Sequence, residues 1–213
     1  MIHSSAHPST RNGFDNPLQT SWTLGQLLNE AGMDSSCPAA GADIPITSIA
    51  EDSRKVTPGA LFVAVSGYAA DGHCYVGKAV ENGAAALLVE RDVDVPAGIP
   101  VIRVPDSRKA IALLAHTFLG HPARDLFVFM VTGTNAKTTS CHLMRLCLEA
   151  AGLPTGIIGT IGNTIADVTL PSSNTTPSPL ELAGLFQTMR TKGIRAVAME
   201  ASSHAIHQRR ILG

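Results

Sequence analysis

A lysine followed by two threonines, Lys137-Thr138-Thr139, stands directly after the turn Gly133-Thr134-Asn135-Ala136. These residue types in this order suit a phosphate chain. The N–H groups of a tight turn and of a helix N-terminus point at anionic oxygens, and the lysine adds a point charge. Gly133, Thr134, Asn135, Ala136, Lys137, Thr138 and Thr139 therefore form a candidate cradle for a nucleoside triphosphate. Lys137 would sit on its β- and γ-phosphates, and a hydroxyl of Thr138 or Thr139 would face the accompanying Mg²⁺. The usual phosphate loop has glycine directly before its lysine, and Ala136 departs from that pattern. Should this position need a left-handed backbone, alanine costs about 1–2 kcal/mol, roughly a tenfold loss of affinity.

A second group is Met199-Glu200-Ala201-Ser202-Ser203-His204, at the end of an apolar run. In open parallel sheets, ligands gather at the carboxyl ends of strands. Glu200 there is a natural Mg²⁺ ligand beside a triphosphate, the alternative being a solvated charge. Gln208, Arg209 and Arg210 follow and would suit anionic substrate groups or, equally, a basic surface turn. The stretch Ser172 to Ser178 is rich in hydroxyls, although capping and turn chemistry alone explains Ser178-Pro179. Glu51-Asp52-Ser53-Arg54 and Gly67 to His73 bracket one short apolar run and could form a small-molecule pocket. Cys37, Cys74, Cys141 and Cys147 show no CxxC pair, so reduced thiols and a cytoplasmic location are expected. His204 and His207 lack further ligands in sequence, so no structural metal site is expected.

The elements that must position these residues are legible in outline. Residues 1–20 are polar without an apolar period and are expected to form a flexible leader. Thr23 can cap a helix over Leu24–Ala31 that stops at Gly32. Ala60–Val65, Ala84–Glu90 and Pro100–Val104 read as strands, with helices over Tyr75–Asn82 and from Asp106 or Ser107 to Leu119. His121–Asp125 is a plausible hinge. Beyond it come a strand Phe127–Thr132, a helix with Leu143, Leu146, Cys147 and Ala150 as its expected buried face, and a strand Gly156–Thr160 leading into a polar loop. Pro179 then opens a helix burying Leu182, Leu185, Phe186 and Met189, and Ile194–Met199 is the last strand. Strand–helix repetition of this kind implies α/β architecture with parallel sheets and crossover helices.

Composition narrows the classes. Of 213 residues, 45% are apolar and 15% charged, which is that of a core-forming chain. A formal net charge of -1 offers no electrostatic case for a nucleic acid or membrane partner. Aromatic residues, at 4%, are too few for base-stacking platforms. No run reaches the ~18 apolar residues of a membrane span.

Four segments, DSRKVTPGALFVAVSGYAADGH, VTGTNAKTT, NTTPS and MEASSHAIHQRR, together resemble the Mur ligases of peptidoglycan synthesis, in family order from about Ile46 to Arg210. The resemblance implies an ATP- and Mg²⁺-dependent ligase adding a diamino acid to a UDP-N-acetylmuramoyl dipeptide. Its implied fold is a small α/β UDP-binding domain (21–122) followed by a partial phosphate-loop, parallel-sheet ATPase domain (123–213). By the same resemblance Glu51, Ser53, Tyr68, Ala69 and Ala70 would hold the uridine diphosphate end. Asn174, Thr175, Thr176, Ser202, Gln208 and Arg210 would grip the muramoyl dipeptide. Catalysis would rest on Lys137, Glu200 and His204, and Mg²⁺ on Thr138 and Glu200. Family members carry a carbamylated lysine, further central strands and a third domain that are not in these 213 residues. The expectation is therefore a central sheet of about three strands with an uncovered edge, and a polypeptide that is not a competent ligase alone. The rival readings are a non-catalytic binding module of the same descent and the related folate polyglutamylation ligases, against which the DSR-containing segment argues.

Overall fold

A computed structural model of the chain describes residues 22–33, 41–67 and 70–213. The expected leader, Cys37, Tyr68 and Ala69 lie outside the described residues. Thr23 closes β1 (Trp22–Thr23) and caps α1 (Leu24–Glu30): its hydroxyl accepts from Gln26 N–H while the Gln26 side chain accepts from Thr23 N–H. This reciprocal capping satisfies two end donors at once. β2 (Pro45–Ile46) pairs antiparallel with β1. β3 (Ser48–Ala50), β4 (Ala60–Val63), β5 (Ala84–Val89) and β6 (Val101–Arg103) form a parallel sheet in that order, with α2 (Val76–Glu81) between β4 and β5 and α3 (Ser107–Phe118) following β6. Strand periodicity divides its side chains. Leu61, Val63 and Leu88 pack with α1 and α3, whereas Phe62, Leu87 and Val89 pack with α2.

The second sheet begins after a 3₁₀ turn at Pro122–Asp125. Its elements are β7 (Phe127–Val131), α4 (Lys137–Ala150), β8 (Thr155–Gly159), β9 (Gly162–Ile165), β10 (Val168–Leu170), α5 (Pro179–Thr191), β11 (Ala196–Glu200) and α6 (Ser203–His207). The strand order is β10-β9-β8-β11-β7. The last strand in sequence is therefore inserted between the first two, parallel to both. That insertion sets Glu200 opposite Val131, the residue that enters the phosphate loop.

Two expectations are corrected here. The expected buried face of α4 is exposed: Leu143 is 59% and Leu146 63% accessible, with Cys147 and Ala150 exposed beside them. The helix instead turns Cys141 inward, with Met144 and Leu148 half-buried on the same side. Its rotation is fixed at the first turn, where Thr138 bonds Glu200 of β11, and positions three or four apart follow Thr138 onto the sheet. The region after β8 is not wholly a loop. It contains the β9–β10 hairpin, whose turn holds Ala166 at φ 52. No Asn-Gly or Asp-Gly pair signals it in the sequence. The three parallel strands thus carry an antiparallel pair on one flank, and β7 is the open edge on the other. Among the described residues no helix is long and apolar enough to cross a membrane.

α5 packs against α3 as well as its own sheet: Ala183 joins the core of the first sheet, and the rings of Phe186 and His116 lie 6.2 Å apart. His116 is buried, and its Nδ1 has no hydrogen-bond partner among the described residues. Burial, with a smaller push from His121, lowers its pKa to about 4. The unfolded chain therefore binds a proton between pH 6.5 and 4 that the folded chain refuses. Stability is full above pH 6.5, falls as the pH drops toward 4, and then levels, for a loss of roughly 3 kcal/mol. Thermal unfolding from pH 7 to 4 should show a steeper decline for the wild type than for His116→Leu. Parallel curves would refute this assignment.

Candidate active site

The loop after β7 has the backbone of an anion cradle. Gly133 lies at φ 145, Ala136 at φ 61 and ψ 9, and Thr132 to Ala136 are exposed. Ala136 is the N-cap of α4 with no side-chain cap bond, so the first-turn N–H groups have no capping acceptor from it. Lys137 Nζ folds back over the turn and donates to Gly133 O at 2.8 Å. The condition attached to Ala136 is met: its backbone is left-handed, and an alanine there strains the folded chain. Relief by glycine, about 1–2 kcal/mol, exceeds the extra flexibility glycine brings to the unfolded chain, about 0.5–1 kcal/mol. Ala136→Gly should raise the melting temperature by about 1–3 °C. A lower melting temperature would contradict the strain.

Glu200 ends β11 with 2% exposure and is held on both oxygens. Thr138 Oγ1 and Thr160 N–H donate to Oε1 at 2.9 and 3.0 Å, and Thr160 Oγ1 lies 3.2 Å from Oε2. Gly159 makes the room: a Cβ there would fall 2.4 Å from Glu200 Oε1. Next to this carboxylate, burial pushes the Cys141 thiol up to about 11, with the Glu200 charge adding to it. Cys141 is therefore an inert thiol. Thr138 and Glu200, the two expected cation ligands, meet across 62 residues of sequence. A hydroxyl and a carboxylate are oxygen donors of the kind Mg²⁺ takes, and the exposed lysine-bearing loop beside them suits the phosphates it accompanies.

The residues 174–176 are tied to the same strand end. Thr176 is buried, donates from Oγ1 to Glu200 O at 2.9 Å and accepts there from Ser202 N–H at 3.0 Å. Its carbonyl accepts from Arg210 Nη1 at 2.9 Å, and Arg210 Nε donates to Gln208. Thr175 Oγ1 lies 3.0 Å from Thr160 Oγ1. Ser202 caps α6 through Ala205 N–H, while Asn174 remains exposed.

A cavity of about 340 Å³ opens between the two sheets. Glu51, Gly67, Ala70, Ser178, Gln208 and Arg210 line it together with Arg108 and Ile111 of α3. Burial pushes the Glu51 carboxyl up, against the Ser178 hydroxyl and the Arg210 charge, which pull it down. Arg209, just after α6, pairs with Asp106, the N-cap of α3, at 3.0 Å. The segment carrying Gly67 and Ala70 is tethered at its end: His73 accepts from Glu90 N–H on Nε2 and so donates from Nδ1 to Asp71, which Arg91 also holds. Those donors keep the Asp71 carboxyl well below the usual range, Arg91 foremost.

Glu51, Ala70, Gln208 and Arg210 thus share one cavity, and Lys137, Thr138, Glu200, Thr175 and Thr176 share one strand end. Other expected residues stand apart. Ser53 is buried in the 3₁₀ turn Ser53–Lys55 and does not line the cavity. Thr139 and His204 are exposed, and no hydrogen bond among the described residues joins the His204 ring to Glu200. Thr160, Gly159 and Arg108 were not singled out in the sequence. Gly159 and Thr160 stand at the carboxyl end of β8 as Glu200 does at the end of β11, so the same strand-end signal marks them. Arg108 carried no comparable signal.

Residues 45–119 match the model described as Mur ligase family, catalytic domain, and residues 131–213 match the Mur ligase middle domain. A Geobacillus thermodenitrificans protein named UDP-N-acetylmuramoyl-L-alanyl-D-glutamate--2,6-diaminopimelate ligase is 46% identical over 173 residues, 81% of this chain and 35% of the relative. One of the same name from Chlorobium phaeobacteroides is 42% identical over 193 residues, 90% of this chain and 38% of the relative. A solved structure bearing that ligase name superposes with a TM-score of 0.72 at 26% identity, over 89% of this chain and 38% of that one. MurF from Acinetobacter baumannii superposes with a TM-score of 0.55 at 25% identity, over 86% of this chain and 36% of that one. The chain spans a little over a third of the length of these curated relatives.

Proposed function

Because the chain belongs to the Mur ligase family, we propose that it serves ATP-dependent amide formation in peptidoglycan synthesis, adding a diamino acid to UDP-N-acetylmuramoyl-L-alanyl-D-glutamate. The relatives named above are ligases of that substrate. The observation that carries the reading is Glu200, buried at a strand end and bonded to Thr138 of the lysine-bearing loop. In this proposal residues 21–122 hold the uridine diphosphate end and residues 123–213 hold ATP, in the cytoplasm.

A free carboxylate is a poor acyl donor. The proposed chemistry passes the γ-phosphoryl group of ATP to the terminal glutamate carboxylate, releasing ADP. The amine of the diamino acid then displaces phosphate to leave the amide. Lys137 would bind the phosphoryl oxygens and hold positive charge where negative charge develops. Thr138 and Glu200 would hold Mg²⁺, which when bound supplies charge neutralisation on the phosphates. Thr175, Thr176, Gln208 and Arg210 would orient the dipeptide, and Glu51 and Ala70 the nucleotide end.

One observation favours a second reading, in which residues 1–213 bind these ligands without completing the ligation. β7 is an edge strand with Phe127 and Met130 exposed, and Leu143 and Leu146 of α4 are exposed as well. A sheet edge and apolar helix face of this kind mark surface that normally has a partner. Calorimetric titration of the chain with Mg²⁺·ATP and with UDP tests the reading. ATP binding with no UDP binding would defeat the assignment of residues 21–122. Amide product from ATP, the muramoyl dipeptide and a diamino acid would decide for the first reading over the second.

A further inference from the structure

Thr160 touches both halves of the site. Its N–H donates to Glu200 Oε1 at 3.0 Å, and its hydroxyl lies 3.2 Å from Glu200 Oε2 and 3.0 Å from Thr175 Oγ1. A hydroxyl has one hydrogen and two acceptor lone pairs. Thr160 can therefore donate to Glu200 or to Thr175, but not to both at once. Glu200 bonds Thr138 of the lysine-bearing loop, and Thr175 precedes Thr176, which is pinned to the Glu200 carbonyl. Two loops that face different ligands thus share a single proton.

We infer that Thr160 is a positioning residue that couples the phosphate cradle to the 174–176 loop, so that each ligand tightens the binding of the other. The inference rests on the proposed function for the identity of the two ligands. Thr175 Oγ1 already accepts from Thr160 Oγ1. When an oxygen of the muramoyl dipeptide takes the Thr175 hydrogen, that polarisation makes Thr175 Oγ1 a stronger acceptor and draws the Thr160 hydrogen away from Glu200. Glu200 Oε2 then loses its donor and becomes a stronger ligand for a cation. The carboxylate does not need to move. Thr138 and the Thr160 N–H still hold Oε1, and Gly159 leaves the space for it. The reverse order works equally: a cation on Oε2 repels the Thr160 hydrogen, which turns to Thr175 and orders that loop.

The test is calorimetric titration of the chain with Mg²⁺·AMP-PNP, with and without saturating UDP-N-acetylmuramoyl-L-alanyl-D-glutamate. The wild type should bind AMP-PNP at least about fivefold more tightly with the dipeptide present, and the reciprocal titration should give the same factor. Thr160→Val, which keeps the shape and the backbone N–H but lacks the hydroxyl, should bring that factor to about one. Thr160→Ser should restore it, which a merely structural role would not require. If Thr160→Val melts well below the wild type, Thr175→Val removes the other end of the relay. It also loses a dipeptide contact, so the dipeptide should bind more weakly, and at saturating dipeptide the coupling factor should fall to about one. A wild type that binds both ligands without coupling overturns the inference and leaves the proposed function standing. Coupling that survives in Thr160→Val or Thr175→Val also overturns it. A wild type that binds neither ligand overturns the proposed function, and the inference with it.

Discussion

Lys137→Met should lower the affinity for Mg²⁺·ATP about 100-fold while leaving the melting temperature almost unchanged. The side chain extends from the first turn of α4 over an exposed loop, where it makes a single hydrogen bond among the described residues, to Gly133 O. Losing one solvent-facing bond of that kind costs the fold about 0.5 kcal/mol. The phosphates lose far more. A hydrogen bond between charged partners contributes about 1.5–3 kcal/mol, and the lysine would serve two phosphate groups at once. A deficit of about 3 kcal/mol is roughly a hundredfold in dissociation constant. Calorimetric titration measures it directly. An unchanged dissociation constant would mean that the loop is an ordinary strand–helix turn that happens to contain glycine and lysine.

Replacing Glu200 with glutamine should separate charge from shape. The amide oxygen can keep the bonds from Thr138 and Thr160 N–H at the Oε1 position. Its NH₂ group would then face Thr160 Oγ1, which can turn its hydrogen to Thr175 and accept instead. The oxygen keeps both donors and one amide hydrogen gains Thr160 Oγ1, leaving only the second amide hydrogen without a named acceptor, so Glu200→Gln should melt within several degrees of the wild type. The negative charge is nevertheless gone. With one anionic oxygen ligand fewer, Mg²⁺ should bind about 100-fold more weakly, corresponding to about 3 kcal/mol. AMP-PNP affinity should then respond little to added Mg²⁺, whereas the wild type should respond strongly. Retained Mg²⁺ dependence in the variant would remove Glu200 from the cation site. A collapse of stability would show instead that its role is to hold the three strand ends together.

The two substitutions probe different kinds of sequence information. Lys137 belongs to a local pattern of apolar strand, glycine turn and helix start, and all of it falls within thirteen residues. Capping boxes, proline at a first helical turn and glycine at helix ends are local in the same sense. They depend on backbone sterics and on hydrogen bonds a few residues away. For that reason α1, α3, α5 and the strand–loop–helix of the cradle lie close to where the residue types place them. Glu200 was legible only as a carboxylate at a strand end. Its partners Thr138 and Thr160 lie 62 and 40 residues away.

What the chain by itself determined is the set of elements, their alternation and the chemistry of the exposed loops, because these follow from periods of two and 3.6 and from turn residues. What only the tertiary structure decided is which elements are neighbours and which faces they show. α4 carries apolar residues on more than one side, and the sequence offers no reason to prefer Cys141 over Leu143 and Leu146 as the inward side. The choice is made where Thr138 meets Glu200. That meeting depends on β11 entering between β7 and β8, a long-range pairing whose free energy no local pattern records. The same insertion brings Thr160 between the phosphate cradle and the 174–176 loop, so the proton they share comes from strand order rather than from any motif.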